Sequence, residues 1–298
     1  MPDQLRHDLL VYGLDLKDID EPFKIGDYEF YPQFNLRNYF RDFEKDKVEW
    51  RLALNPIYAS CIKNLHSRGN VSVSDMFSAD SLWQREVRLI LSAFRLFQPG
   101  WLQVEPVLPV LRTKLIRIIL DLDAPPTEQI WADPVRYNLG KSQIAGVQAL
   151  HNRLIQVPEH YLDVALTRFN RSYEYILREQ IDDCFADLVI ALESLTSRGG
   201  DGILQSMKLR ISLLLSNKGQ DRKAVEKTVG SYYDHRSQIL HGGKVDIKKR
   251  EERVELIESL RSMVREVILV CMCILEMGNL QKTMAETIDE YLYSRLKP

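Results

Sequence analysis

From about residue 141 onward, apolar residues recur at helical spacing in one stripe after another, and each stripe is cut by a glycine-rich or polar break. Leu162, Ala165, Leu166, Phe169, Tyr173 and Ile176 form the first stripe. Ile181, Cys184, Phe185, Leu188, Val189, Leu192 and Leu195 form the second. "SRGGDG" then interrupts the chain, and Ile203, Met207, Ile211, Leu214 and Leu215 make a third. After "SNKGQD", Asp221 supplies an N-cap for a fourth helix. A fifth, roughly 249 to 277, carries Val254, Ile257, Leu260, Val264, Ile268 and Leu275, and a short tail helix is expected near 285–296. A helix with one apolar stripe must bury it against another element. Consecutive helices with short connections therefore predict an antiparallel bundle over 141–298.

The first 140 residues read differently. "FKIGDYEFYP" places Gly26-Asp27 between short alternating runs, a two-residue hairpin pattern. "LWQREVRLILSAFRLF" spaces Trp83, Val87, Ile90, Leu91 and Phe94 as an amphipathic helix that "QPG" ends. "WLQVEPVLPVL" and "KLIRIILDLD" read as strands, and Pro106 and Pro109 restrict the former to a sheet edge. "DAPPTEQIWADP" reads as a loop or linker. The expected fold class is α+β: a mixed α/β domain over 1–140, then a helical bundle over 141–298.

Composition bounds the chemistry. The 298 residues are long enough for two modest domains. No apolar run is long enough to span a bilayer, and "MPDQLRHDLL" lacks an export pattern, so a cytoplasmic protein is expected. The spacing of Cys61, Cys184, Cys271 and Cys273 fits neither a disulfide framework nor a zinc site, and all four read as buried, reduced thiols. The net charge is only −2, but it is unevenly spread. Asp201 to Arg265 holds 14 Lys/Arg against 9 Asp/Glu, and the rest of the chain 26 against 33. A phosphate responds to that local field rather than to the total.

Most familiar local motifs are missing. "NLGKS" lacks the glycine that a phosphate loop needs five residues before Gly140, where Val135 stands, and no strand is expected to lead into it. His151 and His160 have no metal-ligand spacing and read as surface or boundary histidines. No Gly-x-Ser-x-Gly elbow or His-Glu-x-x-His helix occurs. No cofactor is expected.

What remains is "YYDHRSQILHGG", Tyr232 to Gly243. As a plain helix end, it packs its tyrosines, turns Ile239 and Leu240 to the core, and stops at Gly242 in the left-handed C′ position. His241 in the last turn then sits where the helix dipole favours a cation. As chemistry, it unites the two groups that move a phosphoryl centre without a metal. A guanidinium binds non-bridging oxygens, and an imidazole transfers protons near neutral pH. Arg236 and His241 are five residues apart, about 140° around a helix. They reach one phosphate only if the chain turns at His241, and Gly242 and Gly243 provide that turn. Lys244, Lys248, Lys249 and Arg250 follow and could track an RNA backbone.

This stretch resembles the motif of the HEPN superfamily, in which an arginine, a polar residue, a few spacers and a histidine end a helix. "FADLVIALESL" and "MKLRISLLL" are similar to the second and third helices of its Apea-like branch, and the resemblance covers about 159–277. It implies an all-α domain that dimerises so that two motifs face each other. It also implies a metal-independent endoribonuclease, as in toxin–antitoxin or anti-phage systems, with RNA as substrate and an antitoxin or another defence protein as partner. Arg236 and His241 would be catalytic and Ser237 supporting. Glu193 matches a recurring acidic position and would pair with Arg210 or Arg236. Gly243 stands where one subgroup carries a modified tyrosine, so that mode of silencing is not expected. The alternative is a non-catalytic dimerisation and RNA-binding module. By analogy of architecture, the N-terminal domain would recognise a target or an infection signal.

Overall fold

The computed structural model describes residues 4–32, 57–64, 73–107, 137–177, 180–200, 202–216, 219–241, 250–277 and 282–296. "KLIRIILDLD" and "DAPPTEQIWADP" lie outside these residues. The chain divides into two units, Met1–Asn152 and Arg153–Pro298, one mixed and one helical.

The first unit is built on a five-stranded antiparallel sheet. Its strands are β1 (Gln4–Tyr12), β3 (Phe23–Ile25), β4 (Tyr28–Tyr31), β5 (Ile57–Asn64) and β6 (Gln103–Val107), in the order β3-β4-β5-β1-β6. Between them in sequence, β2 (Leu14–Lys17) pairs in parallel with β7 (Tyr137–Gly140) as a separate two-stranded sheet. The hairpin forms where the sequence predicts it: Ile25 faces Tyr28 across Gly26 and Asp27. Gly26 takes φ +59, a conformation with little cost only for a residue lacking Cβ. Pro106 lies on β6, the edge strand, opposite Leu9 of β1. An edge can accommodate a residue that donates no ladder hydrogen bond.

Helix α1 (Val73–Phe97) contributes Ile90, Ala93 and Phe94 to the core of this unit. Phe94 meets Phe30 edge-on at 5.8 Å and Tyr137 at 5.5 Å, and the Tyr137 hydroxyl donates to the Phe94 carbonyl at 2.8 Å. A short strand therefore does run into "NLGKS", contrary to expectation, and a 3-10 turn over Lys141–Gln143 follows it. Its partner β2 lies far back in the sequence, so no local pattern revealed it. Helix α2 (Ile144–Gln156) comes next.

The helical unit contains α3 (Glu159–Leu177), α4 (Ile181–Thr196), α5 (Ile203–Ser216), α6 (Arg222–Leu240), α7 (Arg250–Met277) and α8 (Met284–Leu296). Helix α4 is its axis. It packs against α3, α5, α6, α7 and α8, and its whole predicted stripe from Cys184 to Leu195 is buried. The break after α4 is made by Gly199, Gly200 and Gly202, all at φ between +76 and +81. The predicted stripes of α3 and α5 are buried too, except that Ile203 is half-buried and the side chain of Ile176 lies outside the described residues.

Two arginines tie the bundle together. Arg261 of α7 is buried, stacks over Tyr173 at 4.1 Å, donates to the Ser172 carbonyl at 2.9 Å and pairs with Glu258. Arg210 of α5 clamps Asp289 of α8 through two nitrogens, at 2.7 and 2.8 Å, and donates to the Thr196 carbonyl at 2.5 Å. Burial pushes the Cys184 thiol up to about 11 and the Cys271 thiol up to about 12, so both stay protonated. Cys273 departs from the expectation of four buried thiols: it is exposed, with the Arg153 guanidinium 3.3 Å from its sulfur. The side chain of Cys61 lies outside the described residues.

Arg261→Ala leaves the Ser172 carbonyl without this donor and opens a void. It should lower the unfolding free energy by ~2–4 kcal/mol, whereas Arg261→Met should cost clearly less. Urea denaturation followed by far-UV circular dichroism checks the order. Hydrogen bonding from Arg210, aided by Arg198, holds the Asp289 carboxyl below its ordinary 3.8. The stability it contributes is present above that value and is lost as pH falls through the folded-state pKa. Unfolding midpoints measured from pH 6 to pH 2.5 should show an acid-labile component that Asp289→Asn removes.

Candidate active site

Helix α6 begins as predicted: the Asp221 carboxylate accepts from the Ala224 amide at 2.7 Å. Its first half buries Val225, Val229 and Tyr232, and the Tyr232 hydroxyl donates to Ser259 Oγ at 2.9 Å. Burial stops there. From Tyr233 to Leu240 no residue of α6 is fully buried. Ile239 is half-buried and Leu240 is 58% exposed, so the expectation that both face the core does not hold. Val254, near the start of α7, is also open at 37%. The described residues thus cover Ile239 and Val254 only in part and leave Leu240 mostly open.

His241 is the C-cap of α6, with φ −90 and ψ 17. Its amide donates to the Ser237 carbonyl at 3.2 Å, and its side chain is exposed. Ser237 thus anchors the end of the helix through its backbone, while its side chain is half-buried. Gly242, Gly243, Lys244, Lys248 and Lys249 lie outside the described residues. Arg250 opens α7, and its side chain also lies outside them.

Arg236 sits just over one turn before His241, 19% exposed. One terminal nitrogen lies 3.4 Å from Glu193 Oε2 on α4, and its Cζ is 5.8 Å from the Tyr233 ring centre. Of the two arginines the sequence offers Glu193, the structure pairs it with Arg236. Arg210 is committed to Asp289 instead. The Arg236–Glu193 contact is an ion pair without hydrogen-bond geometry: Arg236 Nε and Glu193 Oε2 are buried and have no hydrogen-bond partner. The guanidinium is therefore oriented yet still holds an unspent donor.

Sequence reasoning passed over His235. Its ring meets Phe185 edge-on at 5.9 Å, and its Nδ1 is buried without a partner. The available signal was its i,i+3 spacing from Tyr232, which meets the same Phe185 ring at 5.9 Å. A cleft of about 400 Å³ lies between the end of α4 and the start of α8, lined among others by His160, Ser194, Ser197, Arg198 and Glu286. Arg198 there already pairs with Asp289 at 2.7 Å, and the Glu286 carboxylate accepts from the Thr283 amide at 3.0 Å. Among the described residues, no group of three His, Cys, Asp or Glu side chains is placed to hold a metal ion, and no helix is long and apolar enough to cross a membrane. In comparisons with family models, curated proteins and solved structures, nothing matches this chain.

Proposed function

We propose that the helical unit is a metal-independent endoribonuclease of HEPN type, working as a homodimer in toxin or anti-phage defence. One observation carries the reading. Of the motif's two histidines, His241 stands exposed as the cap of an open helix end, just over one turn from Arg236, which Glu193 holds. The 2′-hydroxyl of a ribose attacks the adjacent phosphorus as its proton is removed. The P–O5′ bond breaks, and the leaving oxygen takes up a proton. The products are a 2′,3′-cyclic phosphate and a 5′-hydroxyl. His241 moves one of these protons, and Arg236 stabilises the charge that builds on the non-bridging oxygens. Glu193 is a positioning residue, and Ser237 fixes the helix end from which His241 projects. A second copy completes the site by bringing its own Arg236 and His241. The exposed Leu240 beside His241 supports such a partner surface. The lysines from 244 to 249 and Arg250 would follow the RNA backbone.

The Glu193 ion pair also supports a second reading, a non-catalytic dimerisation and RNA-binding module in which Arg236 is only a strut. Cleavage assays separate the two. Purified protein should cut total RNA in the presence of a chelator. His241→Ala should reduce this by about 10²–10⁴-fold, and Arg236→Ala by roughly 10²–10³-fold, with the far-UV spectrum unchanged. Glu193→Gln should cost less than either. End mapping should find cyclic phosphates. Cleavage that survives His241→Ala, or stops in chelator, refutes the mechanism.

A further inference from the structure

The sequence reads His151 as a surface or boundary histidine, but it is only 4% exposed. It lies on α2 beneath the Gly26 turn. A Cβ added to Gly26 would stand 2.3 Å from its Cε1, 3.0 Å from Nδ1 and 3.1 Å from Nε2. The turn backbone therefore rests directly on the ring, which explains a glycine at φ +59 with no room for any side chain. A second contact closes the same joint. The Gly26 amide donates to Gln148 Oε1 at 2.9 Å, and the Gln148 amide nitrogen donates to Asn152 Oδ1 at 2.7 Å, which fixes which end of that side chain faces the turn.

The ring is the unusual part of this joint. Its Nδ1 is buried and has no hydrogen-bond partner. A neutral imidazole can leave that nitrogen bare at modest cost, but an imidazolium carries a proton on both nitrogens and needs acceptors for both. We propose that His151 and the Gly26 turn form a pH-operated clasp in the first unit: the turn closes on the neutral ring and lifts away from the protonated one. This device belongs to the mixed unit and is independent of the nuclease reading.

The electrostatics fix the direction. Burial lowers the pKa of His151 below its ordinary 6.5, and this outweighs the opposing pull of Asp27 in the turn and Glu86 on α1, both of which favour the cation. With the clasp open, the ring meets water and titrates near 6.5. Between the closed-state value and 6.5, the open form binds a proton and the closed form does not. Clasp stability is therefore complete above about pH 6.5, falls as pH drops below it, and levels off beneath the closed-state value.

The Gly26 amide reports the clasp directly, because its hydrogen bond to Gln148 exists only when the turn is down. Amide exchange of the full-length protein, resolved by residue and corrected for the intrinsic pH dependence of exchange, is the test. Protection at Gly26 should fall by up to about tenfold per pH unit below pH ~6.5, while Leu192 in α4 keeps its protection. His151→Phe, which fills the space without titrating, should abolish the pH dependence. Asp27→Asn, at an exposed position that leaves the ring in place, should extend the fall to lower pH by removing one carboxylate that favours the cation. Flat protection at Gly26, an equal loss in His151→Phe, a parallel loss at Leu192, or no extension in Asp27→Asn would each overturn the clasp.

Discussion

The burial of α4 is the constraint on which the helical unit depends. A helix in contact with five others cannot rotate without exposing Phe185, Leu188, Val189, Leu192 or Leu195, each of which is almost wholly removed from water. At roughly 1.5–3 kcal/mol for each such side chain, even a small rotation is costly. The polar groups of α4 are therefore fixed as firmly as its apolar ones. Asp187 is buried and held by Arg168 at 2.6 Å. Glu193, two turns further on, leaves the core at the point where Arg236 approaches from α6. The position of the carboxylate that meets Arg236 is thus inherited from hydrophobic packing.

Electrostatics then distinguish among the arginines of the unit. Arg261 is saturated by a carbonyl, a carboxylate and an aromatic face, and Arg210 by two carboxylate oxygens and a carbonyl. In both, all three nitrogens are engaged, and each arginine joins helices far apart in sequence. Arg236 has one long ion pair and an unsatisfied Nε. A buried donor left unpaired costs about 1–3 kcal/mol, and Arg265 of α7 carries an unpaired Nε of the same kind.

Much of this was legible in the sequence because it is local. The stripes of α3, α4 and α5, the Gly26-Asp27 hairpin, the Asp221 cap and the edge placement of Pro106 each follow from neighbouring residues. What the sequence hid is long-range. Arg210 finds Asp289 79 residues away, and β7 finds β2 across more than a hundred. Periodicity also reports that a face is apolar without saying what covers it. Leu240 and Val254 therefore read as core and stand open. The same limit applies to His151, whose burial comes from a turn far upstream that no spacing rule connects to it.

The central claim is that the end of α6 is half of a nuclease site, completed by a second copy. Subunit mixing tests it most directly. Wild-type and His241→Ala chains are dissociated, combined at varied ratios and reassembled, and RNA cleavage is measured against the wild-type mole fraction. If each site needs the motif of both chains, activity falls as the square of that fraction, to roughly a quarter at equal amounts. A straight-line decline, with about half the activity at equal amounts, would show that each chain cuts alone and would contradict the composite site.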